Sequence, residues 1–208
     1  RTEAAVLITG GESPSVVHAT AMLFDSVARA LIPVSRALPG GARTQHSSVF
    51  VPGRNFIYVA GGFSDTQRSG AIAAIDVFDV AANDFRADNG GFRMRTPRGG
   101  QQAVLLADNL VCMAGGIGAE PPGTSPSTLS SLEVIHEFVD SANLLHIEVA
   151  SSWNPNGAVG QLPFMAAARV GHRMVDLDGM ALVIGGAAIG NGAAGFQMVK
   201  ELTIYNPQ

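Results

Sequence analysis

The chain has 208 residues, 47% hydrophobic and 14% charged, enough apolar material for one sizeable domain or a large part of one. A formal net charge of −4 argues against a general nucleic-acid binder, which would present a basic surface. The lone Cys112 excludes an internal disulfide, and no apolar run approaches the roughly 20 residues of a membrane-spanning helix.

The chain opens at Arg1 almost directly on an apolar strand, AAVLITGG, and reads as a segment of a longer polypeptide. Gly10 and Gly11 close that strand, and the same punctuation returns three times. Gly61 and Gly62 follow FIYVA, Gly115 and Gly116 follow LVCMA, and Gly185 and Gly186 follow ALVI. The spacings are 51, 54 and 70 residues. Repeats of this length point to a repeating four-stranded module, the last spacing being stretched by an inserted loop.

After each glycine pair comes a variable loop and then another strand: ATAMLFD, AAIDVFD, SLEVIHE and KELTIYN. Aligned, they place Phe24, Phe78, His136 and Tyr205 at one position and Asp25, Asp79, Glu137 and Asn206 at the next. The aromatic packs between layers, and the carboxylate or amide caps a turn through backbone N–H groups. A weaker fourth strand is expected around ALIPV, DFRAD and LLHIEVA.

Each new unit opens with arginine: RTQH at Arg43, RGGQ at Arg98 and RVGH at Arg169. The alternating strands HSSVFVP, QQAVLLA and HRMVDLD follow, and PGRN, DN and DG turn each one into its glycine-paired strand. The insertions at 117–131 and 187–198, rich in small and polar residues, occupy the same connection, from second to third strand. They are expected to be loose and to project on one face.

Arg-x-Gly-His, the diglycine and a Tyr-Asn-Pro strand end, repeated in fixed order over nearly the whole chain, resemble the kelch repeat family of β-propellers, the architecture also of galactose oxidase. The resemblance implies an all-β propeller or partial propeller of about three and a half four-stranded blades. The approximate units are 1–38, 39–93, 94–164 and 165–208. The chain departs from the family in having one tryptophan, Trp153, where most fourth strands would carry one. The copper site of galactose oxidase is not matched, because only Tyr58 and Tyr205 accompany the single cysteine.

For function, the resemblance points to a module that binds a protein segment or a saccharide through one face and the channel mouth. Arg43, Arg98 and Arg169 would ring that mouth, with His46, Gln101 and His172 three residues further on. Three guanidiniums could grip an acidic ligand; their recurrence in every unit favours the other reading, in which each pairs with an acid or carbonyl of the next blade and staples the two together. Gln in the place of His keeps hydrogen bonding and loses acid–base ability, which favours a structural role there. A sugar-active propeller enzyme, such as a mutarotase or lyase, and a structural part of a larger assembly are the alternatives. No catalytic residue, cofactor or metal is assigned, and another chain or segment could complete the ring. An exported or cell-surface bacterial protein fits the family.

Overall fold

The computed structural model describes residues 5–87, 91–120, 123–139, 145–151, 165–189 and 195–206. Trp153 lies outside them. Among the described residues the chain is all-β: six small antiparallel sheets, no α-helix, and one 3-10 turn at Ala107–Asn109.

The first sheet holds β1 (Ala5–Thr9), β2 (Ala21–Asp25) and β3 (Ala30–Pro33) in that order. The second runs β4 (Ser47–Val51), β5 (Phe56–Ala60), β6 (Ile75–Asp79) and β7 (Asp84–Phe85). Past the short β8 (Arg98–Gly99), the third is formed by β9 (Gln102–Leu105) and β10 (Val111–Ala114), then, beyond β11 (Ile117–Gly118) and β12 (Ser127–Thr128), by β13 (Leu132–Val139) and β14 (Leu145–Ser151). The last main sheet pairs β15 (Arg173–Leu177) with β16 (Met180–Ile184). It skips β17 (Ala187–Ile189) and β18 (Phe196–Met198) to reach β19 (Thr203–Tyr205). The skipped strands form two further sheets, β8–β11–β12 and β17–β18.

Consecutive main sheets pack face to face. One apolar cluster joins Leu23 and Ala21 to Val59, Phe78 and Phe85. A second joins Val49, Tyr58 and Val77 to Met113 and Ile135. A third joins Cys112, Ala114 and Val134 to Val183 and Tyr205. The period-two alternation makes this possible: along β10, Val111 and Met113 enter one cluster while Cys112 and Ala114 enter the other. A strand buried on both faces of an inner sheet is apolar on both, as β5 and β10 are.

The registers correct one alignment. Ala60 pairs with Ile75, Ala114 with Leu132, and Val183 with Thr203. Counted from each glycine pair, the positions of Phe78 and Asp79 are therefore filled in the third unit by Ile135 and His136, not by His136 and Glu137. Ile135 is buried as Phe78 is, and His136 is exposed rather than packed at the core edge. The eight-residue β13 carries no aromatic in its first half to mark the register.

The expected caps are present elsewhere: Asp79 Oδ1 accepts from the N–H groups of Ala81 (2.9 Å) and Ala82 (3.0 Å), and Asp25 Oδ1 does the same for Val27 and Ala28. The DG turn has Asp178 and Gly179 both at positive φ (49° and 84°), as a tight hairpin needs. The DN segment differs, widening into the 3-10 turn. The fourth strand is also uneven, two residues in β7 and seven in β14. The inserted loops are not loose throughout: β11 pairs with β12 and with β8, and β17 pairs with β18.

Candidate functional site

Each motif arginine is fully buried, and each turns into its own unit. Arg43 Nη2 donates to Asp76 Oδ2 at 2.7 Å, and its Nη1 reaches the carbonyls of Ala74, Val59 and Gly61. Arg98 repeats the pattern with Glu133 Oε1 at 2.7 Å and the carbonyls of Ser131 and Gly115. Arg169 donates to the carbonyls of Gly185 and Glu201, but Thr203 Oγ1, at 3.5 Å, stands where the carboxylate would be. The arginine thus clasps the first glycine carbonyl of its unit to the third strand. Burial pushes Arg43 down and Asp76 up from their ordinary values, each shift opposed by the charge of the other.

These contacts bear on both readings of the arginines. The guanidiniums are turned away from solvent and engaged by partners within the protein. Their side chains do not staple neighbouring units, because Arg43–Asp76 and Arg98–Glu133 lie within one unit.

The link between units comes instead from the arginine backbone and the residue three positions on. Gly11 N–H donates to Arg43 O (2.9 Å), Gly62 to Arg98 O (2.8 Å) and Gly116 to Arg169 O (2.9 Å). A Cβ at Gly10, Gly61 or Gly115 would collide with that same carbonyl, which is why the pair must begin with glycine. Gly61 and Gly62 also sit at φ 66° and 102°.

Gln101 Nε2 donates to Ala60 O at 2.7 Å, and His46 Nε2 is 2.7 Å from Thr9 Oγ1. His172 lies against Gly115, where the Ala114 carbonyl favours its charged form without meeting hydrogen-bond geometry. His46, Gln101 and His172 therefore meet the glycine-paired strand of the preceding unit at equivalent positions. Burial, then Arg43, brings His46 down to about 4; burial, then Arg169, does the same to His172. Burial therefore favours the neutral imidazole at both positions, where each ring packs against the preceding unit.

A second cross-unit contact is Glu137. It accepts from Arg54 Nε at 3.0 Å and from the Tyr58 hydroxyl, joining β13 to β5 and the preceding turn. Burial raises its carboxyl above the ordinary value, with Arg54 opposing.

The end of the sheets beyond the glycine pairs holds the variable loops, linked from unit to unit. Thr44 bridges Phe63, Gly99 pairs with Ile117, and Val170 bridges Ala187, so each loop is anchored beside its arginine. Arg68 Nη2 donates to Glu12 Oε1 at 2.8 Å, joining the first two loops. Gly100 N–H donates to Gln45 O at 2.9 Å, and Ile189 N–H to Thr128 Oγ1 at 3.2 Å. The result is a rim of polar, partly exposed groups, with Arg68 at 39% and Glu12 at 30% side-chain exposure.

Sequence reasoning missed Asp76, Glu133 and Thr203, the clasp partners. The signal was present: an acid or hydroxyl two residues before the strand-end position in IDVF, LEVI and LTIY. The one-residue misalignment of β13 hid it. Among the described residues no group of three or more His, Cys, Asp or Glu is placed to hold a metal ion, and no helix is long and apolar enough to cross a membrane. No protein-family model and no curated protein matches the chain.

Proposed function

We propose that the chain is a kelch-type β-propeller segment that acts as a binding module, its ligand a protein segment or a saccharide held by the loop rim. The observation that carries this reading is that Glu12–Arg68 joins the variable loops of the first two units and Thr128–Ile189 those of the last two, with Gln45–Gly100 joining the arginine motifs between them. The motif residues Arg43, Arg98, Arg169, His46, Gln101 and His172 serve as scaffold for that surface and do not contact ligand. Recurring scaffold with divergent loops is how repeat proteins separate stability from recognition.

The test is selection on a glycan array and a random-peptide library, with the native chain and an E12A/R68A variant in parallel. A ligand enriched on the native chain and lost on the variant supports the reading. Ligands that hold equally to both, or that are chemically converted, count against it.

A second reading, a structural part of a larger assembly, draws on the apolar side chains exposed on the last sheet, among them Leu202 at 63% and Ile204 at 58%.

A further inference from the structure

The last main sheet presents an outward face whose register positions are known from the sheets before it. Val175, Leu177, Leu182, Ile184, Leu202 and Ile204 all point that way. Their counterparts in the second unit are Val49, Val51, Tyr58, Ala60, Ile75 and Val77, and every one belongs to the core between the second and third sheets. The counterparts in the third unit fill the next core in the same way. On the last sheet the positions remain apolar, yet Val175, Leu177, Ile184, Leu202 and Ile204 are 42–63% exposed.

The backbone beside that face is set for the same neighbour. Gly10, Gly61 and Gly115 each have the next arginine carbonyl pressed against them, whereas Gly185, at φ 68°, has nothing within 4 Å. Gly11, Gly62 and Gly116 donate to that carbonyl; Gly186 N–H has no backbone acceptor among the described residues. Three filled copies of the socket say what the fourth is shaped to take.

We propose that the face of β15, β16 and β19 docks a further unit of this repeat, entering with an Arg-x-x-His/Gln strand. Its arginine carbonyl accepts from Gly186 N–H, its His or Gln side chain reaches the Ile184 carbonyl, and its inner strand covers Val175 and Leu177. The inference rests on the repeat-unit reading of the fold and not on the ligand. A second copy of the chain fits less well, because its Arg43, Arg98 and Arg169 carbonyls already accept from Gly11, Gly62 and Gly116 within that copy.

The test extends the full chain after Gln208 with a flexible linker and a copy of residues 39–93, which opens with Arg43 to His46. Two quantities are read, thermal melting and hydrogen exchange at the Gly186 amide. The expected result is a Tm higher by about 4 °C or more and Gly186 protection raised about tenfold or more. Gly185→Asn should abolish both gains in the extended chain. In the unextended chain it should leave Tm within about 2 °C, because Asn tolerates a left-handed φ and its side chain meets open space.

Three results overturn the proposal: no protection at Gly186 in the extended chain, equal gains with Gly185→Asn, or a concentration-dependent Tm with Gly186 protection in the unextended chain, which would assign the face to a second copy. If Gly185→Asn fails to fold, protection at Gly186 in the unsubstituted extended chain still decides. No ligand enters any readout, so failure here is separate from failure of the rim to bind.

Discussion

Glu133→Gln removes one charge from an ion pair in which neither side chain has any exposure. Glu133 Oε1 accepts from Arg98 Nη2 (2.7 Å) and Thr96 N–H (2.9 Å), while Oε2 accepts from Arg95 N–H (2.8 Å). The amide that replaces one oxygen must turn its NH2 toward one of these donors, and Arg98 is left as an uncompensated buried cation. Breaking one partner of such a pair costs about 3–5 kcal/mol. For a chain of this size that is a fall in Tm of about 6–20 °C. The assay is thermal and urea unfolding of Glu133→Gln, Arg98→Met and the double variant, compared as a cycle. Because Arg98 without its acid and Glu133 without its arginine are each worse than the absence of both, the two single losses should exceed the double by about 2 kcal/mol. Additivity within about 0.5 kcal/mol, or a single loss under about 1 kcal/mol, would refute the clasp as a coupled element.

Three further outcomes follow from the same geometry. Gly115→Ala sets a methyl against the Arg169 carbonyl at a positive φ, so it should cost at least about 3 kcal/mol, while Gly91→Ala, in open space at φ 83°, should cost only about 1–2 kcal/mol; chemical denaturation ranks the two. His46 and His172 are held near 4 by burial against an ordinary 6.5, so the unfolded chain binds more protons between those values. Their contribution is present above pH 6.5 and lost as pH falls to about 4, up to about 3 kcal/mol for His172. Tm should therefore drop across that window, and His46→Gln with His172→Gln, imitating Gln101, should flatten the drop; an unchanged slope sinks the assignment. Burial pushes the Cys112 thiol up to about 12, so iodoacetamide at pH 8 should label it only at the rate of unfolding, and prompt labelling of the native chain would contradict its placement.

Strand positions were readable because two local signals agree: alternation along FIYVA and LVCMA, and glycine pairs, which at Gly10, Gly61 and Gly115 combine a positive φ with a carbonyl pressed against the backbone. The clasp was missed although its partners share one register position, since it joins residues 33 to 35 positions apart and its partner changes from Asp76 to Glu133 to Thr203. The arginines could be seen to recur, but not which way they turn. Burial decides that, and it depends on sheets that exist only once the neighbours have packed. Glu137 was expected as a turn cap and proved to be a cross-sheet acceptor, because a one-residue shift in a strand moves a side chain to the opposite face.

Each motif arginine does two jobs with different atoms: its guanidinium closes its own sheet, and its carbonyl holds the sheet before it. Assembly is therefore directional. A unit whose clasp is open has no rigid carbonyl to offer its predecessor, so damage at Arg98 weakens the seam behind it as well as the sheet around it. The middle of the chain, gripped from both sides, should be the last to melt. Native-state hydrogen exchange slowest in β5 and β10 and fastest in β1 and β16 would register that gradient, and uniform protection would deny it.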